Sequence, residues 1–300
     1  MGQVCVVGEV LIDLIPEGVD RKPIVGGGPA NTAKALAKLG IDTQFIDGIS
    51  TDGYGQMSKN ELVTAGVKLD YVKYSDKPTC LAIVSISDSG SATYEFVIEN
   101  TATFDFAHDW LPNFKTDRPS LLHIGTLAST IEPGASTLFE WAQSVAKFAP
   151  IVFDPNIRPA VISDREQYVA QVERWVAISS AVKVSDDDIK WLYPSLDIEQ
   201  VVNDWLIKGP SLIVVTYGDK GLTGHRKGEV VSVDAVKVKV VDTVGAGDTV
   251  GAILVEGILK DGLDSLTGAR LESMLKRAAK AAAITVSRVG ANPPTSEELE

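Results

Sequence analysis

Short runs of apolar and β-branched residues alternate along the chain with segments of helical spacing. The runs are VCVVG at 4–8, TQFID at 43–47, SLLHIG at 120–125, PIVFD at 150–154, AVKVS at 181–185 and LIVVTYG at 212–218. Strands that are apolar at nearly every position are typical of a parallel sheet covered by helices on both faces. The pattern therefore predicts an α/β fold that binds its ligands at the carboxyl ends of the strands.

One stretch departs from this alternation. Between Thr79 and Phe104, the segments TCLAIVSIS and ATYEFVI are separated by DSGS at 88–91, which predicts an antiparallel hairpin with a glycine-containing turn. We expect this hairpin and the extended segment LIDLIPEG at 11–18 to form a small β lid over the edge of the sheet. The predicted organisation is one α/β domain over 1–300, with a lid made of residues 11–25 and 76–106.

Composition excludes several classes of function. The chain has 300 residues, 45% of them hydrophobic, and a net charge of -12 without a long run of lysine or arginine, so we expect no nucleic-acid partner. Any phosphate group must then be bound mainly by backbone amides and Mg²⁺. No apolar run approaches the ~18 residues of a membrane span, and the two cysteines imply no disulfide framework. We therefore expect a cytoplasmic protein without a membrane partner.

The segment DTVGAGDTVGAILVEGIL at 242–259 predicts an anion site at the start of a helix. Its apolar positions follow helical spacing and predict burial along one stripe, formed by Val250, Ile253, Leu254, Gly257 and Ile258. Asp248 falls opposite that stripe, in the first turn, where it could accept a proton from an attacking hydroxyl. The helix dipole alone would also favour an acid at this position. The small residues before it, Gly245-Ala246-Gly247, would let a phosphate approach the free amides closely.

A second glycine cluster, GGGPANTAKALAKLG at 26–40, predicts a helix with proline in its first turn and a glycine cap at Gly40. Together, this segment and DTVGAGD resemble the two signatures of the PfkB, or ribokinase-like, carbohydrate kinase family. FDPNIRP at 153–159 and KVSDDDIKWLYP at 183–194 are similar to the fructokinase members of that family, and bacterial fructokinases are the nearest resemblance. The likeness extends over essentially the whole chain.

The resemblance implies a three-layer α/β/α fold with a mainly parallel sheet and a small β lid. It implies ATP-dependent phosphorylation of a primary hydroxyl of a small sugar, with fructose the preferred acceptor and fructose 6-phosphate the product. Ketodeoxygluconate, ribose and nucleoside-type acceptors such as aminoimidazole riboside stay open as alternatives, as does a catalytically silent regulatory relative. ATP and Mg²⁺ are the implied cofactors, and K⁺ is an optional one.

The resemblance also assigns roles to individual residues. The implied catalytic residues are the base Asp248 and the anion-hole residues Gly245, Ala246 and Gly247. The implied acceptor residues are Asp13, Gly27, Gly28, Asn31, Phe96, Asn156 and Arg158. The implied nucleotide residues are Lys183, Ser185, Thr216, Gly218 and Gly221. Asp188 is expected to hold Mg²⁺ through water, and Asp242 is expected to help surround a monovalent cation.

Four further observations concern individual residues, the motifs present and a possible assembly. Asp13 interrupts the apolar run LIDLI, and a carboxylate there costs several kcal/mol unless it is paired, hydrogen-bonded or solvated. Ser185 and Asp188 stand where relatives carry an NxxE pattern, so the acid is one methylene shorter than usual. No GxGxxG follows the first strand and no GxxxxGK[ST] occurs, which disfavours a dinucleotide-dependent oxidoreductase and a Walker-type site. An exposed hairpin edge would permit a homodimer through the lid.

Overall fold

The computed structural model describes residues 2–86 and 92–300, with elements numbered here in chain order. The strands are β1 Val4–Val7, β2 Leu11–Glu17, β3 Asp20–Gly26, β4 Thr43–Ile46, β5 Gly48–Ser50, β6 Lys73–Ser75, β7 Leu81–Ile86, β8 Ala92–Val97, β9 Leu121–Gly125, β10 Ile151–Asp154, β11 Ala181–Ser185, β12 Leu212–Thr216, β13 Leu222–Arg226 and β14 Glu229–Val233. The helices are α1 Gly28–Lys38, α2 Gly53–Thr64, α3 Gly134–Val145, α4 Arg165–Ile178, α5 Asp186–Leu192, α6 Ile198–Lys208, α7 Ala246–Asp261 and α8 Gly268–Val286.

The main sheet has the strand order β14-β13-β12-β11-β10-β9-β1-β4. The six strands from β12 to β4 in this order are parallel, whereas β13 and β14 continue the sheet antiparallel. Each of the six runs predicted from the sequence lies in this sheet, because a strand buried on both faces must be apolar throughout. The α/β fold class is confirmed.

Helices cover both faces of the sheet. One core packs α3, α4, α5 and α6 against alternate strand residues such as Leu122, Phe153 and Val182. A second core packs α1, α2, α7 and α8 against the residues between them, such as Val6 and Val152. Among the described residues, no helix combines the length and the apolar character needed to cross a bilayer.

A second sheet has the order β3-β2-β7-β8 and contains the strands predicted to form the lid, so it is called the lid sheet here. The predicted hairpin is present, since β7 and β8 pair antiparallel, and β2 joins β7 in parallel register. The predicted turn at 88–91 lies outside the described residues. The lid ranges 11–25 and 76–106 contain these strands, except that β3 continues to Gly26.

Helix α7 differs from its predicted single buried stripe. Every residue from Asp248 to Ile258 is buried, because α7 lies between α1 and α8 and against β9 and β11. The apolar spacing correctly located the helix, but the polar positions between the apolar ones face other parts of the protein instead of solvent. Asp248 is therefore an interior carboxyl group, only 7% exposed.

Candidate active site

The first turn of α7 presents backbone N–H groups near the carboxyl ends of the central strands. Its N-cap Gly245 has a φ of 79°, which glycine adopts without strain, and a Cβ there would lie 2.7 Å from the Cβ of Ala291. The N–H of Ala246 donates to the carbonyl of Thr243 at 3.4 Å. The N–H of Gly247 lies in the first turn, where a helix supplies no acceptor of its own. This helix start has the geometry that anion binding requires.

Asp248 meets the second glycine-rich segment of the sequence. Nδ2 of Asn31 donates to Oδ2 of Asp248 at 2.9 Å, across 217 residues of chain. Burial raises the pKa of the Asp248 carboxyl above its ordinary value, while Lys183 and then the bond from Asn31 act in the opposite direction. Because a carboxylate only accepts, the Asn31 amide must face it, so Oδ1 of Asn31 is the atom left to accept a bond from a ligand. That buried Oδ1 has no partner within the described part of the chain.

Gly28 of α1 stands where three other segments of the chain converge. A Cβ at Gly28 would lie 2.9 Å from Nδ2 of Asn156, 3.0 Å from Cγ2 of Thr126 and 3.3 Å from Oδ1 of Asp248. Helix α1, the turn after β9 and the loop after β10 thus meet beside the carboxyl group. Gly27 has a different reason to be glycine, since its φ is 105° and a Cβ would approach the carbonyl oxygen of Glu9 to 2.4 Å.

A buried ion pair lies against the first turn of α7. Nζ of Lys183 contacts Oδ2 of Asp154 at 3.0 Å, with side-chain exposures of 4% and 3%. A Cβ at Gly247 would lie 2.8 Å from the same Nζ, so the ammonium group touches the helix start. Burial opposes the charge on Lys183, but Asp154 and then Asp248 raise its pKa above the ordinary value. Burial raises the pKa of Asp154 to about 6.

Asp13 lies on the lid sheet beside Gly26, and the region between Asp13, Gly28, Asn156 and Asp248 is called the cleft here. Asp13 lies on β2 opposite Ile24 of β3, and its Oδ2 would be 2.1 Å from a Cβ at Gly26. Burial raises the pKa of Asp13 to about 6, while Arg158 and Lys34 lower it. The same two cations also lower the pKa of Asp248, so both carboxyl groups lie within electrostatic range of Arg158 and Lys34.

Arg158 is held by its own loop. Its Nη1 donates to Oδ1 of Asn156 at 2.7 Å, and its backbone N–H donates to the hydroxyl of Tyr168 at 3.1 Å. The lid residue Phe96 pairs with Ala82 across β7 and β8 and packs against the core that contains α3 to α6. Arg158 and Asn156 therefore reach the cleft as one bonded unit.

Ser185 and Asp188 form a capping box at the start of α5. Oδ2 of Asp188 accepts the N–H of Ser185 at 3.2 Å, and its Oδ1 accepts the N–H of Ile157 at 2.9 Å. Both carboxylate oxygens thus already bind backbone amides, which fixes the Asn156 loop against α5. Each oxygen retains a second lone pair that could accept from a metal-bound water.

Asp242 links the segment that precedes α7 to the segment that follows α8. Its Oδ1 accepts the N–H of Val244 at 3.0 Å, and its Oδ2 accepts the N–H of Gly290 at 2.9 Å. The described residues contain no cluster of three or more His, Cys, Asp or Glu side chains that could hold a metal.

Of the residues predicted to bind the nucleotide, Ser185 and Thr216 end β11 and β12, Gly218 and Gly221 follow β12, and Lys183 lies within β11. Thr216 pairs with Ser185 across these two strands, so their positions are adjacent at the carboxyl edge. Gly218 has a φ of 58° with open space around its Cα. Gly221 has a φ of 101°, and a Cβ there would lie 2.1 Å from the carbonyl oxygen of Val233. Gly221 is therefore required by the turn into β13, independently of any ligand.

Sequence reasoning missed two buried polar residues beside the cleft. Glu9 follows β1 and is 2% exposed, and Thr126 follows β9 with the same exposure. The available signal was their position, since each is a polar residue directly after an apolar strand. A third buried polar residue, His123, points from β9 towards Gly251 of α7 and is 1% exposed. Burial lowers the pKa of His123 to about 3, so the imidazole is neutral.

Comparison with known proteins agrees with this architecture. The family model described as pfkB family carbohydrate kinase matches residues 1–298. A fructokinase of Rhizobium leguminosarum bv. trifolii is 35% identical over 261 residues, covering 85% of this chain and 79% of that protein. A fructokinase of Klebsiella pneumoniae is 29% identical over 304 residues, covering 100% of this chain and 98% of that protein.

Two solved structures share the fold over nearly the whole chain. Fructokinase with bound ATP from Xylella fastidiosa superposes with a TM-score of 0.91 at 24% identity, covering 99% of this chain and 96% of that one. A double mutant of fructokinase from Vibrio cholerae O395, in fructose, ADP and potassium ion bound form, gives a TM-score of 0.86 at 26% identity, covering 100% and 97%. The chain therefore belongs to the pfkB family of carbohydrate kinases.

Proposed function

We propose that this carbohydrate kinase transfers the γ-phosphate of ATP to the primary hydroxyl of fructose and releases fructose 6-phosphate and ADP. The observation that carries the proposal is the 2.9 Å bond between Asn31 and Asp248 at the start of α7. It brings an acceptor-side amide and a basic carboxylate to the helix end that suits a phosphate. The fructokinases among the relatives support fructose as the acceptor.

Asp248 acts as the general base. Its Oδ1 faces Gly28 and Asn156, so a hydroxyl bound there can pass its proton to the carboxylate while its oxygen attacks the γ-phosphorus. The new O–P bond forms as the bond to the bridging oxygen of ADP breaks. The amides of the turn Gly245 to Gly247 and the ammonium of Lys183 stabilise the charge on the transferring group.

The acceptor is held between the lid and α1. Asp13, as a carboxylate, accepts bonds from sugar hydroxyls, and Oδ1 of Asn31 accepts another. The unit formed by Asn156 and Arg158 supplies donors, and Phe96 belongs to the lid strand that covers this side. Gly28 has no side chain, which lets Asn156, Thr126 and Asp248 come close together beside α1, next to the acceptor.

ATP lies along the carboxyl ends of β11 and β12, next to Ser185, Thr216 and Gly218. When bound, Mg²⁺ would neutralise and orient the phosphate oxygens. The residues present fit a Mg²⁺ ion that is bound mainly by the nucleotide. Oδ1 of Asp154 is a buried carboxylate oxygen without a partner in the described chain, and it would face such an ion. Both oxygens of Asp188 also keep a lone pair for a metal-bound water. A K⁺ ion is proposed near Asp242, where backbone carbonyls would hold it.

The test is a panel of acceptors in an assay that couples ADP release to a spectroscopic signal. Fructose, ribose, ketodeoxygluconate and aminoimidazole riboside are compared with ATP, Mg²⁺ and K⁺ present. Fructose should give the highest kcat/KM, with fructose 6-phosphate as the product. A higher kcat/KM for another acceptor would replace fructose, and absence of turnover with all four would overturn the proposed function.

Two further proposals concern assembly and location. The chain pairs with a second copy through β8, which lies at one edge of the lid sheet, because an edge strand carries unpaired backbone groups. Sedimentation of the unmodified protein and of a Val97→Lys variant tests this pairing, since Val97 is exposed on that strand.

The second proposal is a cytoplasmic location, which subcellular fractionation tests.

A further inference from the structure

Thr126 has a backbone conformation that threonine rarely adopts. It begins the 3-10 turn Thr126–Ser129 directly after β9, and its φ is 55°. A positive φ is a genuine outlier for a β-branched residue, because the branched Cβ crowds the backbone. Strain of this kind persists only where the surroundings hold it, and it concentrates at functional sites.

Glu9 holds the strained residue in place. The hydroxyl of Thr126 donates to Oε1 of Glu9, and Oε2 of Glu9 accepts the N–H of Ala128 at 3.2 Å. The far end of the turn is also anchored, since Nε1 of Trp175 donates to the carbonyl of Ser129 at 2.8 Å. The buried carboxyl thus uses both oxygens to fix one short turn.

This arrangement aims the methyl group of Thr126 at the candidate acceptor site. Because the hydroxyl is directed to Glu9, Cγ2 is the atom that faces Gly28, 3.0 Å from where a Cβ would be. Oδ1 of Asp248 lies 3.3 Å from the same point. A small apolar group is therefore presented next to the carboxylate that would deprotonate the acceptor.

We propose that Thr126 is a specificity-determining residue of the acceptor site and that Glu9 is the positioning residue that orients its methyl group. The proposal rests on the function proposed above. The methyl group contacts the carbon framework of the sugar beside the reacting hydroxyl and limits the space available there. Glycine at this position would remove the strain but also the contact, which gives a reason for threonine.

The main test compares Thr126→Ser with Thr130→Ser in the full-length protein. Thr126→Ser keeps the hydroxyl and removes only the methyl group. Thr130 is the matched control, since it is also buried, lies four residues further on and donates to the carbonyl of Leu127 at 3.1 Å, away from Gly28. The quantities measured are kcat and KM for fructose, kcat and KM for ATP, and the ratio of kcat/KM between fructose and the other acceptors.

Thr126→Ser should lower kcat/KM for fructose on the order of tenfold, mainly through KM, and should change the acceptor ratio. The KM for ATP should stay within about twofold, because the contact involves only the acceptor. Thr130→Ser should leave all of these values unchanged. Equal effects of the two variants, or a fructose KM within about twofold of the parent after Thr126→Ser, would overturn the proposal.

Glu9 provides an independent arm of the test. Glu9→Ala removes the acceptor for the Thr126 hydroxyl and should raise the KM for fructose, whereas Glu9→Gln keeps an acceptor oxygen and should restore much of the loss. If Glu9 had only a structural role, both variants would have lower thermal stability, and their KM values for fructose would not differ in this way. If the parent enzyme itself phosphorylates no acceptor, the proposed function fails with the inference; an active parent with unaffected variants overturns the inference alone.

Discussion

Replacing Lys183 with methionine probes the buried charges beneath the first turn of α7. The ammonium of Lys183 contacts Asp154 at 3.0 Å, and both side chains are almost fully buried. Methionine fills a similar volume but cannot balance a carboxylate. Removing one partner of a buried pair typically costs ~3–5 kcal/mol, because the remaining charge is left unsolvated. We therefore expect Lys183→Met to lower the free energy of unfolding by about that amount at pH 8.

The loss should depend on pH in a defined direction. The folded-state pKa of Asp154 is already raised to about 6, and removal of Lys183 raises it further. A carboxyl group whose pKa is raised by folding stabilises the protein below its unfolded pKa, and this contribution is lost as pH rises through the folded pKa. The deficit of the variant should therefore be smaller at pH 5 than at pH 8. The acid limb of kcat/KM should also move to higher pH, because Lys183 lowers the pKa of Asp248.

Urea unfolding at pH 5 and pH 8 and a pH profile of kcat/KM provide the measurements. The double variant Lys183→Met/Asp154→Asn is the control, since it removes the orphaned charge and should recover most of the lost stability without recovering turnover. A deficit at pH 8 below about 1 kcal/mol, the range of an exposed pair, would refute the reasoning. Equal deficits at pH 5 and pH 8 would refute it as well.

Two further predictions concern the acceptor side. The KM for fructose should rise as pH falls below about 6, because Asp13 becomes protonated there. Asp13→Asn should remove this dependence on pH. A KM that stays constant down to pH 5 in the parent enzyme would contradict the role of Asp13. Gly28→Ala places a Cβ 2.9 Å from Nδ2 of Asn156 and should lower kcat/KM for the sugar at least about tenfold. Gly53→Ala is the control, because a Cβ there has nothing within 4 Å and should leave kcat/KM unchanged. Steady-state kinetics of both variants check this.

Strand prediction located the six parallel strands of the main sheet and the hairpin of β7 and β8, but it missed the antiparallel edge of the main sheet. The six parallel strands are apolar at nearly every position, so their pattern alone located them. The antiparallel pair β13 and β14 was missed because β14 alternates half-buried and exposed residues. The signal available was the turn between them, where Gly228 has a φ of 78° after Lys227.

The residues of the candidate site were also predicted from the sequence only in part. Local pattern and the family resemblance identified Asp248 and Asn31, but the bond between them spans 217 residues and required the fold. The role of Glu9 depends on a contact with Thr126 across 117 residues, and neither residue belongs to a glycine-rich motif. That Asp188 holds Mg²⁺ through water stays a prediction, but the bonds from two backbone amides to its oxygens could not be read from the sequence, because they depend on the loop geometry.

The most direct test of the account is the turnover of Asp248→Asn. Asparagine keeps the size of the side chain and can still accept the bond from Asn31, so sugar binding measured by calorimetry should stay within about threefold. Loss of the general base should lower kcat by about 10²–10⁴-fold. A kcat within about tenfold of the parent enzyme would show that the carboxylate at the start of α7 does not accept the proton of the attacking hydroxyl.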